Sequence, residues 1–392
     1  MYNADKGLFI IVITLMMIGA IFSYSLPIYI ETKYEYSEWH FFMRYVFFSL
    51  LGIIIMITLS QLNPDKVFTK LGWFLFLGGF ITILIMPALP SNYCPVIKGA
   101  RRWIKLGSLR ISPVEFLKIG LIYFFAWSFS RKLISNHFRS LKDEFKAIFP
   151  YLALLGVVAI ITVIFQSDLG ETLLILFIFM IMLIFTKLSP KIFAVLISTG
   201  ALLFIVGVIS APYRLERLKS ALYNIYLMLP KFIQDWFNIQ ISSNDIAYQL
   251  KQSINAIYNG GISGVGIGNG QIKMGFLSDV HTDFVLAGIS EEIGFIGVSG
   301  IIILIIVLIW RIFKIANRIE TKRHIDYVYQ LFCVGVGVLI GLETLLNAFG
   351  IIGMLPLKGL PIPFISYGGS AIISFSIAIG MVLMISKKVK LK

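Results

Sequence analysis

The sequence predicts an all-α polytopic membrane protein with ten transmembrane helices and a large extracytoplasmic loop between helices seven and eight. Apolar runs of roughly twenty residues recur along the whole chain, which is the length a bilayer core demands of a helix. Of 392 residues, 58% are hydrophobic and only 14% charged, whereas soluble domains carry about a quarter charged residues. Basic clusters fall on alternate connections, the pattern of cytoplasmic loops. The mean hydropathy of +0.88 leaves no soluble domain of ordinary size, so residues 1–392 read as one membrane domain.

The spans fall at about 7–29, 41–60, 67–88, 113–130, 149–166, 169–187, 191–211, 284–310, 329–349 and 370–386. The first follows a short leader with one lysine. Pro27 and Tyr29 close it where a signal peptide would have small residues, so it reads as a retained helix. An even number of spans puts both termini on one side. Arg131, Lys132, Arg139, Lys142 and Lys146 lie between spans four and five, and Lys187 and Lys191 between six and seven. Arg311, Lys314, Arg318, Lys322 and Arg323 lie between eight and nine, and Lys387, Lys388, Lys390 and Lys392 end the chain. The positive-inside rule makes all of these, and both termini, cytoplasmic.

The outer face then holds a first loop at 89–112, a large loop at 212–283 and a Pro/Gly-rich stretch at 350–369. Two of these break the charge rule. Lys98, Arg101, Arg102, Lys105 and Arg110 lie in the first, and Arg214, Arg217, Lys219, Lys231, Lys251 and Lys273 in the second. Cations on the outer side need a reason, and an anionic substrate such as a diphosphate is one. Apolar stretches in the large loop, Leu222 to Leu229 and Trp236-Phe237, suit the membrane interface. The net charge of +14 would suit nucleic acid, but basic residues interleaved with spans are explained by topology. Cys94 and Cys333 lie in different contexts, and four scattered histidines give no ligand cluster. Neither a disulfide framework nor a metal site is indicated.

Four constellations carry polar chemistry. Arg101-Arg102-Trp103 precedes Ser112-Pro113-Val114-Glu115-Phe116-Leu117-Lys118. Ser112 and Pro113 suit the cap and first turn of a helix. Glu115 and Lys118 then share a face, three residues apart. They read either as an ion pair locking helix four or as part of a substrate cavity, since intramembrane charge usually faces polar space. If they are a coupled pair, exchanging the two charges should restore function better than either single change. Arginine suits bidentate phosphate contacts. Next, Gln166-Ser167-Asp168-Leu169-Gly170-Glu171 forms an outer turn where Asp168 caps span six or serves a site.

The third constellation runs from Tyr248-Gln249 through the glycines between Asn259 and Gln271 to Asp279-Val280-His281-Thr282-Asp283-Phe284. The spacing of a nucleotide-binding glycine loop is absent and no strand precedes it. These glycines instead allow tight turns and close backbone approach to a ligand. Asp283, at the seam between loop and span eight, is either the helix cap or a catalytic base. Of Glu291 and Glu292, within span eight, at least one must face the bundle interior. The fourth runs from Leu355 to Ser370, with Lys358-Gly359 and Pro363-Phe364-Ile365-Ser366-Tyr367-Gly368-Gly369-Ser370. Irregular backbone at membrane depth is tolerated only against protein or a wet cavity.

These four constellations, in this order, resemble those of the SEDS family, the peptidoglycan polymerases FtsW, RodA and SpoVE. The resemblance covers about 10–385, and its most specific motifs are His281-Thr282-Asp283-Phe284 and Pro363 to Ser370. Arg101-Arg102-Trp103, Lys358-Gly359 and Tyr213-Arg214 with Arg217 are similar to the FtsW branch more than to RodA. Departures include Ser167 in place of a proline, Ser278-Asp279 in place of Pro-Glu, and Ala371 in place of a serine.

The resemblance implies a SEDS-type membrane domain that joins lipid II disaccharide units into glycan strands during cell division. Transfer would take place at the outer face of the bacterial cytoplasmic membrane, at the septum, by inversion, with undecaprenyl diphosphate leaving. Asp283 matches the family's catalytic aspartate. Arg101, Arg102, Glu115, Lys118, His281, Lys358 and Ser366 are the expected substrate-binding residues. No cofactor is evident, although a divalent cation, Mg or Mn, could share the charge stabilisation. The implied partners are lipid II, membrane lipid, a cognate class B penicillin-binding protein with FtsI-like transpeptidase activity, and divisome proteins; nucleic acid is not expected. A lipid II flippase is the alternative. It would call for inverted repeats and interrupted helices in matching halves, and the sequence has no such symmetry. A division scaffold would not need Asp283.

Overall fold

In the computed structural model, the residues described are 4–97, 100–107, 109–136, 138, 140–186, 188–209, 222, 226, 248–355 and 359–389. Lys98, Arg139, Lys187, Tyr213, Arg214, Arg217, Lys219, Lys231, Trp236, Phe237, Lys358, Lys390 and Lys392, named above, lie outside them, as does nearly all of 210–247.

Helices occupy all ten expected stretches. They are α1 (Lys6–Ser25), α3 (His40–Gln61), α4 (Pro64–Ile85), α5 (Pro113–Lys132), α6 (Leu141–Ile160), α7 (Leu169–Ile184) and α8 (Pro190–Ile209), followed by α10 (Val285–Asn317), α11 (His324–Ile351) and α12 (Gly369–Ser386). Two shorter helices, α2 (Ile28–Lys33) and α9 (Tyr248–Gly260), lie in connections. Among the described residues, eight helices are long and apolar enough to cross a membrane. The other two of the ten are α5, which carries Glu115 and Lys118, and α7, which has only 16 residues.

Several boundaries differ from expectation for identifiable reasons. Span one stops at Ser25, because Pro27 starts the separate α2. Span five begins at Leu141, eight residues early; Ser140 caps it through Asp143 N, and Pro150 is accommodated inside. It continues into a π-helical turn, Ile161–Phe165, before the Gln166–Asp168 turn. The first outer loop folds into a hairpin, β1 (Ile104–Leu106) against β2 (Leu109–Ile111). The large loop contains α9, whose polar residues mask its helical character in a search for apolar runs.

The interior is built on α5, α11 and α12. α12 packs against α3, α4 against α5, α10 against α11, and α11 against α5. Small residues allow the α4–α5 approach: a Cβ at Gly120 would lie 2.4 Å from Phe76 N, and one at Gly79 would lie 2.9 Å from Leu117 Cα. Packing through small residues is how helices associate without a hydrophobic drive between them.

α10 is broken at Gly294 (φ 68°, ψ −172°), which frees the carbonyls of the preceding turn. The glycine-rich loop satisfies them. Val265 N–H donates to Glu291 O (3.0 Å) and Gly266 N–H to Glu292 O (2.9 Å), while Phe295 N–H donates to Gly261 O (2.9 Å). A Cβ at Gly264 (φ 80°) would lie 2.3 Å from Glu292 O. The close backbone approach expected of these glycines is therefore made to the chain's own helix. Both Glu291 and Glu292 face inward, each 1% exposed. Glu291 accepts from the Gln271 and Ile272 N–H groups, and Glu292 pairs with Lys273 at 2.6 Å. Lys273 also donates to Ser25 O, so this cation of the large loop serves the fold and not an outside anion.

On α2, Glu31 is buried, and burial together with Glu38 pushes its carboxyl from 4.5 up to about 7. Between those values the folded chain keeps a proton that the unfolded chain has released, so stability falls as pH rises through this window. Glu31→Gln is expected to raise the melting temperature above pH 7 and leave it unchanged below pH 4.5. Melts of both proteins across the window test this; parallel pH curves would refute it.

Candidate functional site

The candidate site lies where the turn before α10 meets the irregular segment before α12. Three N–H groups, of Thr282, Asp283 and Phe284, converge on the Asp279 carbonyl at 3.1, 3.0 and 3.3 Å. Asp279 takes φ 55° to allow this. The N-cap of α10 is Phe284, with no side-chain capping bond. The capping reading of Asp283 is thereby set aside, since its backbone is already inside the tight turn and a residue short of the cap.

The 359–367 segment is stitched onto this turn. Ser366 Oγ donates to Thr282 O (2.8 Å) and accepts from Ile362 N–H (2.9 Å). Tyr367 N–H donates to His281 O (3.0 Å). Asn347 on α11 donates from Nδ2 to both Asp283 O (2.9 Å) and Leu360 O (2.8 Å). Ser366 thus bonds backbone on both sides of the junction. His281, 8% exposed, packs edge-on against Phe41 at 5.1 Å, with Tyr367 5.1 Å from Phe41 and 5.7 Å from His281. The carboxylate of half-buried Asp283 faces Gly359, where an added Cβ would lie 2.8 Å from Oδ2. Gly359→Ala must therefore displace the carboxylate, which is the movable end of its side chain. We expect activity to fall roughly ten- to a hundredfold, as small misplacements do, with the melting temperature unchanged. An activity assay beside a thermal melt checks this, and full activity would refute it.

Sequence reading missed Arg44 and Asn347. Arg44, half-buried one turn into α3, contacts His40 Nε2 at 3.5 Å and hydrogen-bonds Tyr367. Burial raises the Tyr367 phenol, and the Arg44 guanidinium partly offsets this. An arginine inside a span is a signal that was available. Asn347 had none, because its role depends on which face of α11 meets the loop.

The first-loop arginines are anchored to their own chain. Arg101 Nη1 donates to the Pro87 and Leu89 carbonyls, both at 3.2 Å. Arg102 donates to Gln166 O (2.9 Å) and Ser167 O (3.0 Å) and pairs with Asp168 at 3.2 Å. Asp168 also caps α7 through Glu171 N–H (3.1 Å), so it takes the capping role expected of it as well as pairing with Arg102. Ser112 takes the N-cap position of α5 without a side-chain bond, and its N–H donates to Ser370 Oγ (3.0 Å). Lys105 and Arg110 face each other across the hairpin, both exposed. Like charges directly opposite in a strand pair destabilise it unless an anion lies between them.

Lys118 is not an open cation. Its ammonium is 1% exposed and meets Glu115 at 3.0 Å, Glu171 at 3.2 Å and Glu343 at 2.6 Å. The expected two-residue pair is therefore a four-residue cluster that ties together α5, α7 and α11.

The family model described as "Cell cycle protein", covering FtsW, RodA and SpoVE, matches residues 6–391. A relative from Helicobacter pylori strain 26695, named "Probable peptidoglycan glycosyltransferase FtsW", is 40% identical over 99% of this chain and 100% of its own. One of the same name from Nitrosomonas europaea is 34% identical over 97% and 92%. Among solved structures, a chain of a peptidoglycan synthase complex superposes with a TM-score of 0.71 at 24% identity, covering 98% of each chain. Thermus thermophilus RodA, a rod shape determining protein, gives 0.63 at 21%, covering 99% and 98%.

Proposed function

This chain belongs to the FtsW, RodA and SpoVE family of cell cycle proteins, and we propose that it polymerises lipid II with Asp283 as general base. It is a multi-pass membrane glycosyltransferase of peptidoglycan synthesis in cell division. The observation that carries the mechanism is the interlock around Asp283. Asn347, the Asp279 turn and the 359–367 segment fix its backbone, and the N-cap position of α10 falls to Phe284.

Asp283 accepts the proton of the acceptor GlcNAc 4-hydroxyl, which requires hydrogen-bond reach to that oxygen. The oxygen attacks C1 of the donor MurNAc as the C1–O bond to diphosphate breaks. The configuration inverts and undecaprenyl diphosphate departs with the bonding electrons. Fixed cations near a developing anion stabilise it without reorganisation. Arg101, Arg102 and Lys358 fill that role, with Lys105 and Arg110 meeting the diphosphate at the rim. Lys118 and Glu115 act from below by holding the start of α5. His281 and Ser366 shape the acceptor side through the turn they support. A divalent cation, Mg or Mn, would bind through diphosphate oxygens. Among the described residues no group of three or more His, Cys, Asp or Glu is placed to hold one, and no step is assigned to it.

Reaction takes place at the outer face of the cytoplasmic membrane at the septum, with both termini cytoplasmic. A cognate class B penicillin-binding protein provides cross-linking alongside, within a larger set of division proteins. The purified chain with that partner and labelled lipid II is expected to yield glycan strands and release undecaprenyl diphosphate. Lipid II translocation across vesicles without polymer would overturn the assignment in favour of a flippase.

A further inference from the structure

Four buried ionisable groups meet inside the bundle. Lys118 Nζ lies 3.0 Å from Glu115 Oε2, 3.2 Å from Glu171 Oε2 and 2.6 Å from Glu343 Oε1. Glu115 and Glu171 are each 7% exposed, Lys118 1% and Glu343 0%. Among the described residues, the charged groups acting on this cluster are its own members and Asp168, which Arg102 already neutralises at 3.2 Å. One ammonium against three carboxylates leaves a net double negative charge. Glu115 and Glu171 stand in the first turns of α5 and α7. Those helix starts each supply about half a positive charge, together offsetting roughly one of the two. Glu343 sits within α11, away from any helix start. One negative charge therefore stays uncompensated in a medium where each buried ion costs several kcal/mol.

A second observation points to how this is relieved. Glu343 Oε2 is buried and takes part in no hydrogen bond, while Glu115 Oε2 and Glu171 Oε2 share the Lys118 ammonium, at 3.0 and 3.2 Å. A buried carboxyl oxygen without a donor, beside two that share a single ammonium, is a costly arrangement. A single proton removes both problems, because it cancels the remaining charge and turns one acceptor into a donor toward another.

We infer that this cluster is a proton-binding site, with the proton resident on Glu343. The neutral Glu343 carboxyl accepts from Lys118 through Oε1 and donates through Oε2 toward Glu115 or Glu171. Asn347, which holds the Asp283 carbonyl, stands one turn further along α11. The proton thus stabilises the same helix that fixes the reaction turn, without touching substrate.

Infrared spectroscopy of the full-length chain in nanodiscs tests this without substrate, so its outcome is independent of the role of Asp283. The Glu31→Gln background removes the α2 carboxyl that burial holds protonated near neutral pH. At neutral pH a C=O band of a protonated buried carboxyl is expected, shifted by deuterium exchange and by carbon-13 glutamate. It should vanish in Glu343→Gln, whose melting temperature should stay close to the parent's because glutamine copies the neutral form. Absence of the band in the parent overturns the proposal whether or not the variant folds. Survival of the band in Glu343→Gln, with its loss in Glu115→Gln or Glu171→Gln, overturns the assignment to Glu343. Replacement of the band by a signal dependent on added sodium or magnesium would make this a metal site instead.

Discussion

Asp283→Ala is expected to abolish glycan polymerisation while leaving the protein folded. General-base removal costs about 10²- to 10⁴-fold, and with a sugar hydroxyl as nucleophile the upper end applies. The fold should tolerate the change because Phe284, and not Asp283, is the N-cap of α10, and the turn is held by backbone bonds to Asp279 O. Asn347 and the 359–367 segment bind the Asp283 backbone and its neighbours, which alanine retains. Asp283→Asn separates charge from shape and should be equally inactive. The measurement is polymer length from purified chain, partner and labelled lipid II, beside a thermal melt. Substantial polymer from Asp283→Ala would exclude the base, and a collapsed melt would return Asp283 to a structural role.

Lys118→Met is expected to destabilise the bundle by about 3–5 kcal/mol, the cost of leaving buried charges without their partner. The structure makes this sharper than a two-residue pair would. The ammonium serves Glu115, Glu171 and Glu343, so its loss strands three buried carboxyl groups on three helices. Glu115→Gln leaves Lys118 two partners and should cost much less. Exchanging Glu115 and Lys118, which would rescue an isolated pair, should fail here because it sets a carboxylate at 118 against Glu171 and Glu343. Melting of each variant in the same detergent decides it. Rescue by the exchange would show that Glu171 and Glu343 contribute little.

The ten helical stretches and the alternation of basic connections were legible because bilayer thickness fixes helix length and charge fixes orientation, and both act on local sequence. α9 was not legible, because its amphipathic thirteen residues carry too little apolar character to stand out. The break in α10 was not either: Gly294 sits in an apolar run, and only the loop at 261–266 makes the break affordable. Lys273 looked like an outer cation awaiting an anion, since nothing near it in sequence announces Ser25 and Glu292 as its partners.

By itself, then, the sequence determined the membrane class, the family, the polar segments and the choice of Asp283. Each of these rests on residues close together along the chain. Tertiary structure alone decided that Phe284 and not Asp283 takes the N-cap of α10, that Asn347 and Gly359 flank Asp283, and that Lys118 faces three carboxyl groups. These contacts join residues far apart in the chain, such as Lys118 and Glu343. Inside a bilayer-spanning bundle an unpaired charge is too costly to leave, so packing dictates which partners meet.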